Sequence, residues 1–288
     1  MSTYYEALYQ KKMTFERVMC TLCPHYCVLL EGEISRCHSR INQGGTLMTT
    51  NYGNVASYAY DPIEKKPLNH FMPGTMIFSM GTTGCNLTCQ FCQNHELVSY
   101  DGPCPHLTVD DVLTLATANE SIGIAYTYNE PTVWYEFVLD VAEQAHKKGL
   151  KNVLVTNGYI NPEPLLNLLP YIDALNIDLK SYTDHFYETI CGATLAPVLK
   201  TIALADQSTH VEVTTLLIDT LNTSDEEISN LAKAIAQINP EIPLHLNRYF
   251  PAHQMTIPST HIETLKRARD IAKQYLKNVH VGNCFIDD

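Results

Sequence analysis

Six alternations of a strand pattern with a helix pattern, beginning near residue 75, constrain the fold of this 288-residue chain more than any other feature. The expected strands are 76–80, 123–126, 152–156, 174–179, 211–218, 244–247 and 279–281. Strands that are each followed by a helix pair in parallel, with the helices covering the sheet. The sequence therefore predicts an α/β fold, and both a doubly wound sheet and a barrel satisfy the alternation.

Start signals for three helices support this interpretation. Each is a Thr or Ser followed three residues later by Asp or Glu, the spacing at which the two side chains cap a helix start reciprocally. The pairs are Thr108 with Asp111, Ser224 with Glu227, and Thr260 with Glu263. We expect a helix to begin at each pair.

The first 70 residues have a different character. They lack helical periodicity and are rich in Cys, Tyr and Gly, and four of the ten cysteines fall between Cys20 and Cys37. We therefore divide the chain into a small Cys-rich N-terminal extension, residues 1–70, and a core of strands and helices, residues 71–288. We expect a metal to pin the extension, because it is too small for a hydrophobic core of its own.

Charge and composition exclude several classes of function. Lys and Arg number 19 against 31 Asp and Glu, a formal charge of −12, which repels the phosphates of nucleic acids and anionic membranes. The N-terminus has no basic segment followed by an apolar run, and no apolar stretch approaches the roughly 20 residues of a membrane span. We expect a cytoplasmic protein, in which cysteines stay reduced and serve as metal ligands or reactive thiols.

Three cysteines directly after the first core strand form the most specific motif. Cys85, Cys89 and Cys92 have the spacing C-x3-C-x2-C. Thiolates select soft metals, and three on one short loop suit three irons of a cubane cluster, which leaves the fourth iron open. An open coordination position is typical of a catalytic metal. The alternatives are a zinc site completed by His95 and a set of unrelated buried thiols.

This motif, placed after the first strand of a βα array, resembles that of the radical S-adenosylmethionine (SAM) superfamily. The resemblance implies a [4Fe–4S] cluster on Cys85, Cys89 and Cys92, whose unique iron binds the amino and carboxylate groups of SAM. One-electron reduction then cleaves SAM into methionine and a 5′-deoxyadenosyl radical, which abstracts hydrogen from a substrate. The resemblance also implies a partial (β/α)6 TIM-like barrel that excludes water and directs the radical.

Further motifs occur in the order seen in activating enzymes of the pyruvate formate-lyase type. They are the segments 126–132 (YTYNEPT), 156–159 (TNGY), 176–180 (NIDLK) and 243–245 (PLH). The element C-x2-C-P-x2-C at Cys20, Cys23 and Cys27 resembles that of a subgroup called AmmeMemoRadiSam system radical SAM enzymes. The subgroup label implies Memo-like and AMMECR-like partner proteins and names no reaction.

The resemblance carries SAM contacts onto residues at the ends of these strands. The expected cofactor-binding residues are Asn129, Glu130, Thr156, Asn157, Asp178, Lys180, His245 and Arg248, and Cys191 is the candidate catalytic hydrogen donor. Four departures separate the chain from the activating enzymes. Tyr128-Asn129 replaces two glycines, Val155 replaces an aspartate, and Asp219-Thr220 replaces a Pro-Gly pair. Thr214 replaces an arginine for which Arg248 is a partial substitute.

Several of these positions also have a purely structural interpretation. Glu130 suits a helix start, where the dipole favours a carboxylate. Asp178 and Lys180 alternate onto one face of a strand and suit an ion pair with each other. His245 is equally well explained as a hydrogen-bonded strand residue, and Cys191 as a small buried side chain.

The N-terminal extension contains a second metal motif. Cys20, Cys23, Cys27 and Cys37 have the spacing C-x2-C-x3-C-x9-C. Four thiolates complete either a tetrahedral Zn²⁺ site or an auxiliary, closed [4Fe–4S] cluster, and the spacing does not separate these two. His25 and His38 are alternative ligands.

Three functions are open at this point. The first is a radical SAM enzyme that acts on a small molecule or a protein, with an electron donor such as flavodoxin or ferredoxin. The second is an activating enzyme that installs a glycyl radical in a large partner protein. The third is a non-catalytic iron–sulfur or zinc scaffold or sensor. The motif departures and the N-terminal element favour the first.

Overall fold

The computed structural model describes residues 4–284. Its strands are β1 (Tyr5–Glu6), β2 (Gln10–Lys12), β3 (Val18–Cys20), β4 (Val28–Leu29), β5 (Arg40–Gln43), β6 (Thr46–Thr49), β7 (Ser57–Pro62), β8 (Met76–Gly81), β9 (Ser121–Tyr126), β10 (Lys151–Thr156), β11 (Ala174–Asp178), β12 (His210–Leu217), β13 (Leu244–Arg248) and β14 (Val279–Gly282). Its α-helices are α1 (His95–Val98), α2 (Val109–Ala116), α3 (Tyr135–Lys147), α4 (Pro162–Leu168), α5 (Asp184–Phe186), α6 (Leu195–Ala205), α7 (Asp225–Ile238) and α8 (Ile262–Ala272). Shorter 3₁₀ turns span Ile63–Lys65, Pro131–Trp134 and Leu169–Tyr171, and a π turn spans Tyr187–Cys191.

The core is one eight-stranded sheet in the order β14-β13-β12-β11-β10-β9-β8-β7. Strands β8 to β14 run parallel, and β7 pairs antiparallel with β8. The two edge strands of the sheet are β14 and β7. The α/β class and all seven expected core strands are confirmed, and the parallel array is that of a partial barrel.

The extension forms two small antiparallel sheets, in the orders β1-β6-β5 and β2-β3-β4. Strand β7, which lies before the expected boundary at residue 70, belongs to the core sheet instead. A division of the chain into two domains stays a prediction.

An apolar plug closes the amino end of the barrel. Ile63 and Leu68, from the segment that links β7 to β8, pack against Ile77, Val153 and Ala174 on the inner face of the strands. Full burial of such side chains stabilises the fold by about 1.5–3 kcal/mol each. This end of the barrel is therefore filled by apolar side chains.

Two of the three expected helix caps are confirmed. Thr108 and Asp111 form the reciprocal capping box of α2, and Ser224 accepts a hydrogen bond from the backbone of Glu227 at the start of α7. The cap expected at Thr260 is wrong. Residue 261 precedes α8, and the buried Thr260 hydroxyl bonds instead to the backbone of Leu217 and Tyr249.

The helices are short. Within residues 4–284, no single helix has both the length and the apolar composition to cross a membrane. One pair of helical segments meets both criteria together, Asp184–Cys191 and Leu195–Ala205, and the two are bent by 108°.

Candidate active site

A cavity of about 400 Å³, which we call the lumen cavity, opens at the carboxyl ends of the core strands. Most of the residues that the sequence singled out line it. They are Cys85, Cys89, Cys92, Asn129, Glu130, Thr156, Asn157, Asp178 and Lys180. This size is that of a pocket for one small ligand, and its position is the ligand site of parallel α/β folds.

The cysteine loop takes its shape from contacts at its first residues. The Asn129 side chain accepts a hydrogen bond from the backbone of Thr82 (3.1 Å) and donates to the carbonyl of Gly84 (3.0 Å). Gly84 has φ +84°, and a Cβ there would lie 2.4 Å from the carbonyl oxygen of Cys37. Only glycine fits this conformation and this approach, so the extension packs directly on the loop.

The three thiols of the loop are largely shielded from solvent. Burial raises the pKa of Cys85 and Cys92, and a hydrogen bond with Cys191, together with burial, raises that of Cys89. The backbone of Leu87 (3.4 Å) and the amide of Asn157 (3.7 Å) donate to Cys85 Sγ. Metal binding must therefore displace protons, and the donors stay available to a bound thiolate.

The donor set fits an iron–sulfur cluster. Three thiols from one loop face a common cavity, which is the chemistry that such clusters require. Among residues 4–284, no three His, Cys, Asp or Glu side chains converge on a point that holds a single metal ion. The same three cysteines also line a second, outer cavity of about 860 Å³, together with Arg36 and His38 of the extension.

Glu130 organises the turn beside the loop. Its carboxylate accepts hydrogen bonds from the backbone of Thr132 (2.9 Å) and Asn157 (2.8 Å) and from the Thr156 hydroxyl (2.7 Å). Burial raises the pKa of Glu130, although these bonds oppose the rise. Through the bond from Thr132, Glu130 caps the start of the 3₁₀ turn Pro131–Trp134, which is the structural role that the sequence also allowed. Glu130 also lines the lumen cavity, so it is placed to contact a ligand as well.

Asp178 and Lys180 form an ion pair inside the cavity. Lys180 Nζ lies 2.8 Å from Asp178 Oδ2, so the two charges satisfy each other while both face the lumen. Burial alone lowers the pKa of Lys180, but Asp178 and the nearby Cys89 raise it well above its usual value. Lys180 is therefore a fixed cation near the cysteine loop.

Two buried polar atoms in the cavity have no protein partner. They are Asn176 Oδ1 and Thr214 Oγ1, on side chains that are 1% and 6% exposed. A buried polar group without a hydrogen bond costs about 1–3 kcal/mol, so these atoms point to a polar ligand. The sequence contained the signal for Asn176, because it lies two residues before Asp178 on the same strand face; Thr214 pairs with Asp178 in the sheet register.

Three expected site residues lie outside the lumen cavity. His245 bonds to the buried carboxylate of Glu212 at 2.6 Å, and Arg248 donates to the carbonyl of Thr260 at 2.9 Å. Cys191 is fully buried, and its thiol forms a hydrogen bond with the thiol of Cys89. His245 is thus a hydrogen-bonded strand residue and Cys191 a small buried side chain, which are the structural alternatives named above. The SAM-binding roles of His245 and Arg248 and the catalytic role of Cys191 stay predictions that this geometry does not favour.

The sequence missed Glu212. Its carboxylate, inside the barrel, accepts hydrogen bonds from His210 (3.0 Å) and His245 (2.6 Å) and from the backbone of Asn69 (3.0 Å) and His70 (2.8 Å). The residue is 0% exposed. It therefore ties the segment after β7 to the centre of the sheet.

The four N-terminal cysteines, Cys20, Cys23, Cys27 and Cys37, line one cavity of about 20 Å³. Arg40 lines the same cavity, and its Nε is buried without a hydrogen-bond partner. Burial raises the pKa of Cys20, and the charge of Arg40 opposes this rise only in part. His25 also lines the cavity, but its Nε2 is bonded to the carbonyl of Asn86 at 2.8 Å; His38 lies in the outer cavity.

Comparison with known proteins gives consistent results. The family profile described as the radical SAM superfamily matches residues 80–235. An uncharacterized protein of Methanocaldococcus jannaschii is 41% identical over 285 residues, 96% of this chain and 85% of that protein. The isethionate sulfite-lyase activating enzyme of Oleidesulfovibrio alaskensis is 24% identical over 170 residues, 56% of this chain and 54% of that enzyme.

The fold has a counterpart among solved structures. Streptococcus suis SuiB bound to S-adenosylmethionine superposes with a TM-score of 0.57 at 15% identity. The match covers 73% of this chain and 52% of SuiB, so the chain spans about half of that protein. This likeness bears on the fold alone.

Proposed function

The chain belongs to the radical SAM superfamily, whose members are enzymes that use SAM and a [4Fe–4S] cluster, and we propose that Cys85, Cys89 and Cys92 hold this cluster. One observation carries the proposal. The three thiols face the same lumen cavity as the Asp178–Lys180 pair and the unpartnered Asn176 and Thr214 atoms. Thiols, a fixed ion pair and free acceptors are together the donor set for the cluster and for a polar, zwitterionic ligand such as SAM.

When both groups are bound, they supply a 5′-deoxyadenosyl radical for hydrogen abstraction from a substrate. The chain's own residues prepare the site for this chemistry. Asn129 fixes the start of the cysteine loop, and Glu130 fixes the turn that presents Asn157 to Cys85. The Asp178–Lys180 pair holds one charge of each sign at the wall of the cavity. The plug at Ile63 and Leu68 excludes water from the amino end of the barrel.

The test is SAM cleavage by anaerobically reconstituted protein under dithionite, with 5′-deoxyadenosine measured by liquid chromatography and mass spectrometry. We expect cleavage by the wild type, and loss of both cleavage and iron in Cys89→Ala. Cys284→Ala, which removes a thiol outside the motif, is the matched control and keeps both. A wild-type protein that holds iron but forms no 5′-deoxyadenosine would instead be a scaffold or sensor.

A second candidate is a glycyl-radical activating enzyme, favoured by the similarity to the isethionate sulfite-lyase activating enzyme. The distinguishing measurement is electron paramagnetic resonance of the reduced protein mixed with SAM and a glycyl-radical enzyme encoded beside it. A stable glycyl signal on the partner establishes this candidate. Hydrogen transfer from a small molecule into 5′-deoxyadenosine, without such a signal, establishes the first.

We also propose that Cys20, Cys23, Cys27 and Cys37 bind a second metal. Because no three of these thiols converge on one point in the described structure, binding requires their side chains to rotate toward a common centre. The four thiols share one cavity with the buried Arg40, whose guanidinium pairs with Glu136 but has one N–H, at Nε, free to donate to a bound thiolate. Through Cys37 and His25 this site contacts the cysteine loop at Gly84 and Asn86. Metal analysis decides its content. One zinc per chain indicates a Zn²⁺ site, and roughly eight irons with no zinc indicate an auxiliary [4Fe–4S] cluster.

Partners follow from the same chemistry. We propose a small-molecule or protein substrate and a one-electron donor such as flavodoxin or ferredoxin, which reaches the cysteine loop from the outer cavity beside Arg36 and His38. The proposed compartment is the cytoplasm, where thiols stay reduced. Memo-like and AMMECR-like partners stay predictions from the subgroup resemblance. Pull-down with purified candidates and reduction of the cluster by reduced flavodoxin test these proposals.

A further inference from the structure

The cysteine loop packs against the π turn Tyr187–Cys191 through its backbone. The N–H of Thr88 donates to the carbonyl of Cys191 at 2.9 Å, and the N–H of Gln90 donates to the carbonyl of Ile190 at 3.0 Å. These two bonds lie on either side of the second cysteine of the motif. π turns are rare and are found mostly at functional sites. Because the bonds are between main-chain groups, a substitution of the side chain at residue 191 leaves them in place.

The N-terminal extension reaches the same contact. Arg36 Nη2 donates to the carbonyl of Gly192, the residue after the π turn, at 3.1 Å. Gly192 has φ +67°, and a Cβ there would lie 2.4 Å from Arg36 Nη2 and 2.4 Å from Thr88 Oγ1. The left-handed backbone and this close approach both favour glycine. The turn is therefore fixed closely against both the loop and the extension.

Two thiols meet between these backbone contacts. Cys191 is 0% exposed, and its thiol forms a hydrogen bond with the thiol of Cys89. Either sulfur can donate while both carry a proton. Iron binding removes the proton of Cys89, because the thiolate is the metal ligand. A thiolate only accepts, so the S–H group of Cys191 is then the donor of this bond.

The donor on Cys89 differs from the donors on the first cysteine of the loop. Cys85 Sγ accepts from the backbone of Leu87 at 3.4 Å and from the amide of Asn157, a cavity-lining residue, at 3.7 Å. The partner of Cys89 is instead a buried side chain on a separate segment. This one donor can therefore be removed without altering the backbone of the loop or the wall of the lumen cavity.

We propose that Cys191 is a positioning residue that donates an S–H···S hydrogen bond to Cys89 when Cys89 binds the cluster, and that this bond makes the cluster easier to reduce. Hydrogen bonds to the ligand sulfurs are among the factors that set the reduction potential of an iron–sulfur cluster. A donor offsets negative charge on the thiolate and so favours the reduced cluster, which carries one more negative charge.

The inference rests on the proposed function and deepens it, because it assigns control of the electron-transfer step to a residue outside the cysteine motif. In this step one electron passes from a donor such as flavodoxin or ferredoxin to the cluster. The donor is oxidised and the cluster is reduced. The proton stays on Cys191, and no covalent bond forms or breaks.

The experiment is a redox titration of anaerobically reconstituted protein without SAM, followed by electron paramagnetic resonance of the reduced cluster. The signal of the loop cluster is the one that is lost in Cys89→Ala. We expect Cys191→Ala to shift the reduction equilibrium about tenfold toward the oxidised cluster, the scale of one hydrogen bond. For one electron this is a fall of about 59 mV. Cys191→Ser keeps an O–H donor, and its potential is expected to equal or exceed that of the wild type.

The control is Cys284→Ala, which removes a thiol outside both cysteine motifs and keeps the wild-type potential. Iron per chain is measured in each variant and is expected to match the wild type, because Cys191 is not a ligand. A wild-type potential in Cys191→Ala overturns the proposal. A fall of the same size in Cys191→Ser also overturns it, since lost packing then explains the shift.

Cys191→Ser decides the proposal by itself if Cys191→Ala does not fold. A potential below that of the wild type, or a loss of iron, contradicts a donor role at this position. SAM cleavage by the wild type is measured on the same sample. Cleavage together with unchanged potentials rejects the role of Cys191 and leaves the proposed function standing. Iron without 5′-deoxyadenosine rejects the proposed function, and the potential shift is still measurable on that cluster.

Discussion

Replacing Glu212 by glutamine tests the internal tie between the barrel and the segment after β7. Each carboxylate oxygen accepts two hydrogen bonds, Oε1 from His210 and the backbone of His70, and Oε2 from His245 and the backbone of Asn69. In Glu212→Gln one oxygen becomes an NH₂ group, which then faces two donors. The substitution preserves shape and removes both the charge and half of the acceptor capacity.

The magnitude follows from the pKa of this carboxyl. Burial raises the pKa of Glu212, but the bonds from His210, His245 and the backbone outweigh burial and lower it to about 2, against 4.5 ordinarily. Each pKa unit is worth about 1.4 kcal/mol, so the carboxylate contributes roughly 3 kcal/mol of stability at pH 7. Because the folded-state pKa is the lower one, this contribution is complete well above pH 4.5 and is lost as the pH falls through about 4.5 towards 2.

The assay is urea unfolding of reconstituted protein, followed by the fluorescence of Trp134, the single tryptophan, which is buried. Glu212→Gln is expected to unfold with a free energy roughly 3 kcal/mol below the wild type at pH 7, and the difference is expected to shrink by about 1 kcal/mol at pH 4. Glu120→Gln, at an exposed position outside the helices and strands, is the control and changes neither value. Equal stability of Glu212→Gln and wild type at pH 7 would refute the reasoning.

Three further substitutions test other parts of the structure. Gly84→Ala places a Cβ 2.4 Å from the carbonyl of Cys37 and is expected to lower iron per chain in an iron assay; full loading contradicts the loop geometry. Arg40→Met leaves the buried Glu136, 3.0 Å away, without its cation and is expected to cost about 3–5 kcal/mol in urea unfolding; an unchanged midpoint rejects this. Thr108→Ala removes the α2 cap at a cost of about 1 kcal/mol, and Thr108→Ser retains it.

Much of the fold and of the cysteine loop is predictable because both depend on local patterns. Strands and helices can be recognised from the pattern of apolar residues within a short window of the sequence. The spacing C-x3-C-x2-C likewise places Cys85, Cys89 and Cys92 on one loop, independently of the rest of the fold. Asp178 and Lys180 are predictable in the same way, since a strand places alternate residues on one face. Their shared ion pair follows from that spacing.

Contacts between residues that are far apart in the sequence are not predictable by this route. His245 and Glu212 lie on different strands, and their 2.6 Å contact depends on the parallel register of β12 with β13. A buried carboxylate needs donors, and His245 supplies one of them to Glu212. The buried Thr260 hydroxyl is a similar case, because it satisfies the carbonyl of Leu217 on a distant strand rather than capping α8.

Tyr128, which stands where the motif has glycine, adopts a backbone conformation that favours glycine. The activating enzymes that the sequence resembles have glycine here, and Tyr128 has a left-handed φ of +73°. For a non-glycine residue this conformation costs about 1–2 kcal/mol. The Tyr128 hydroxyl donates to the charged Asp61, a bond worth about 1.5–3 kcal/mol, and Asn94 donates to its carbonyl at 2.6 Å. These bonds therefore offset the backbone cost, and the Tyr128 side chain forms part of the wall of the lumen cavity beside Lys66, where glycine would leave open space.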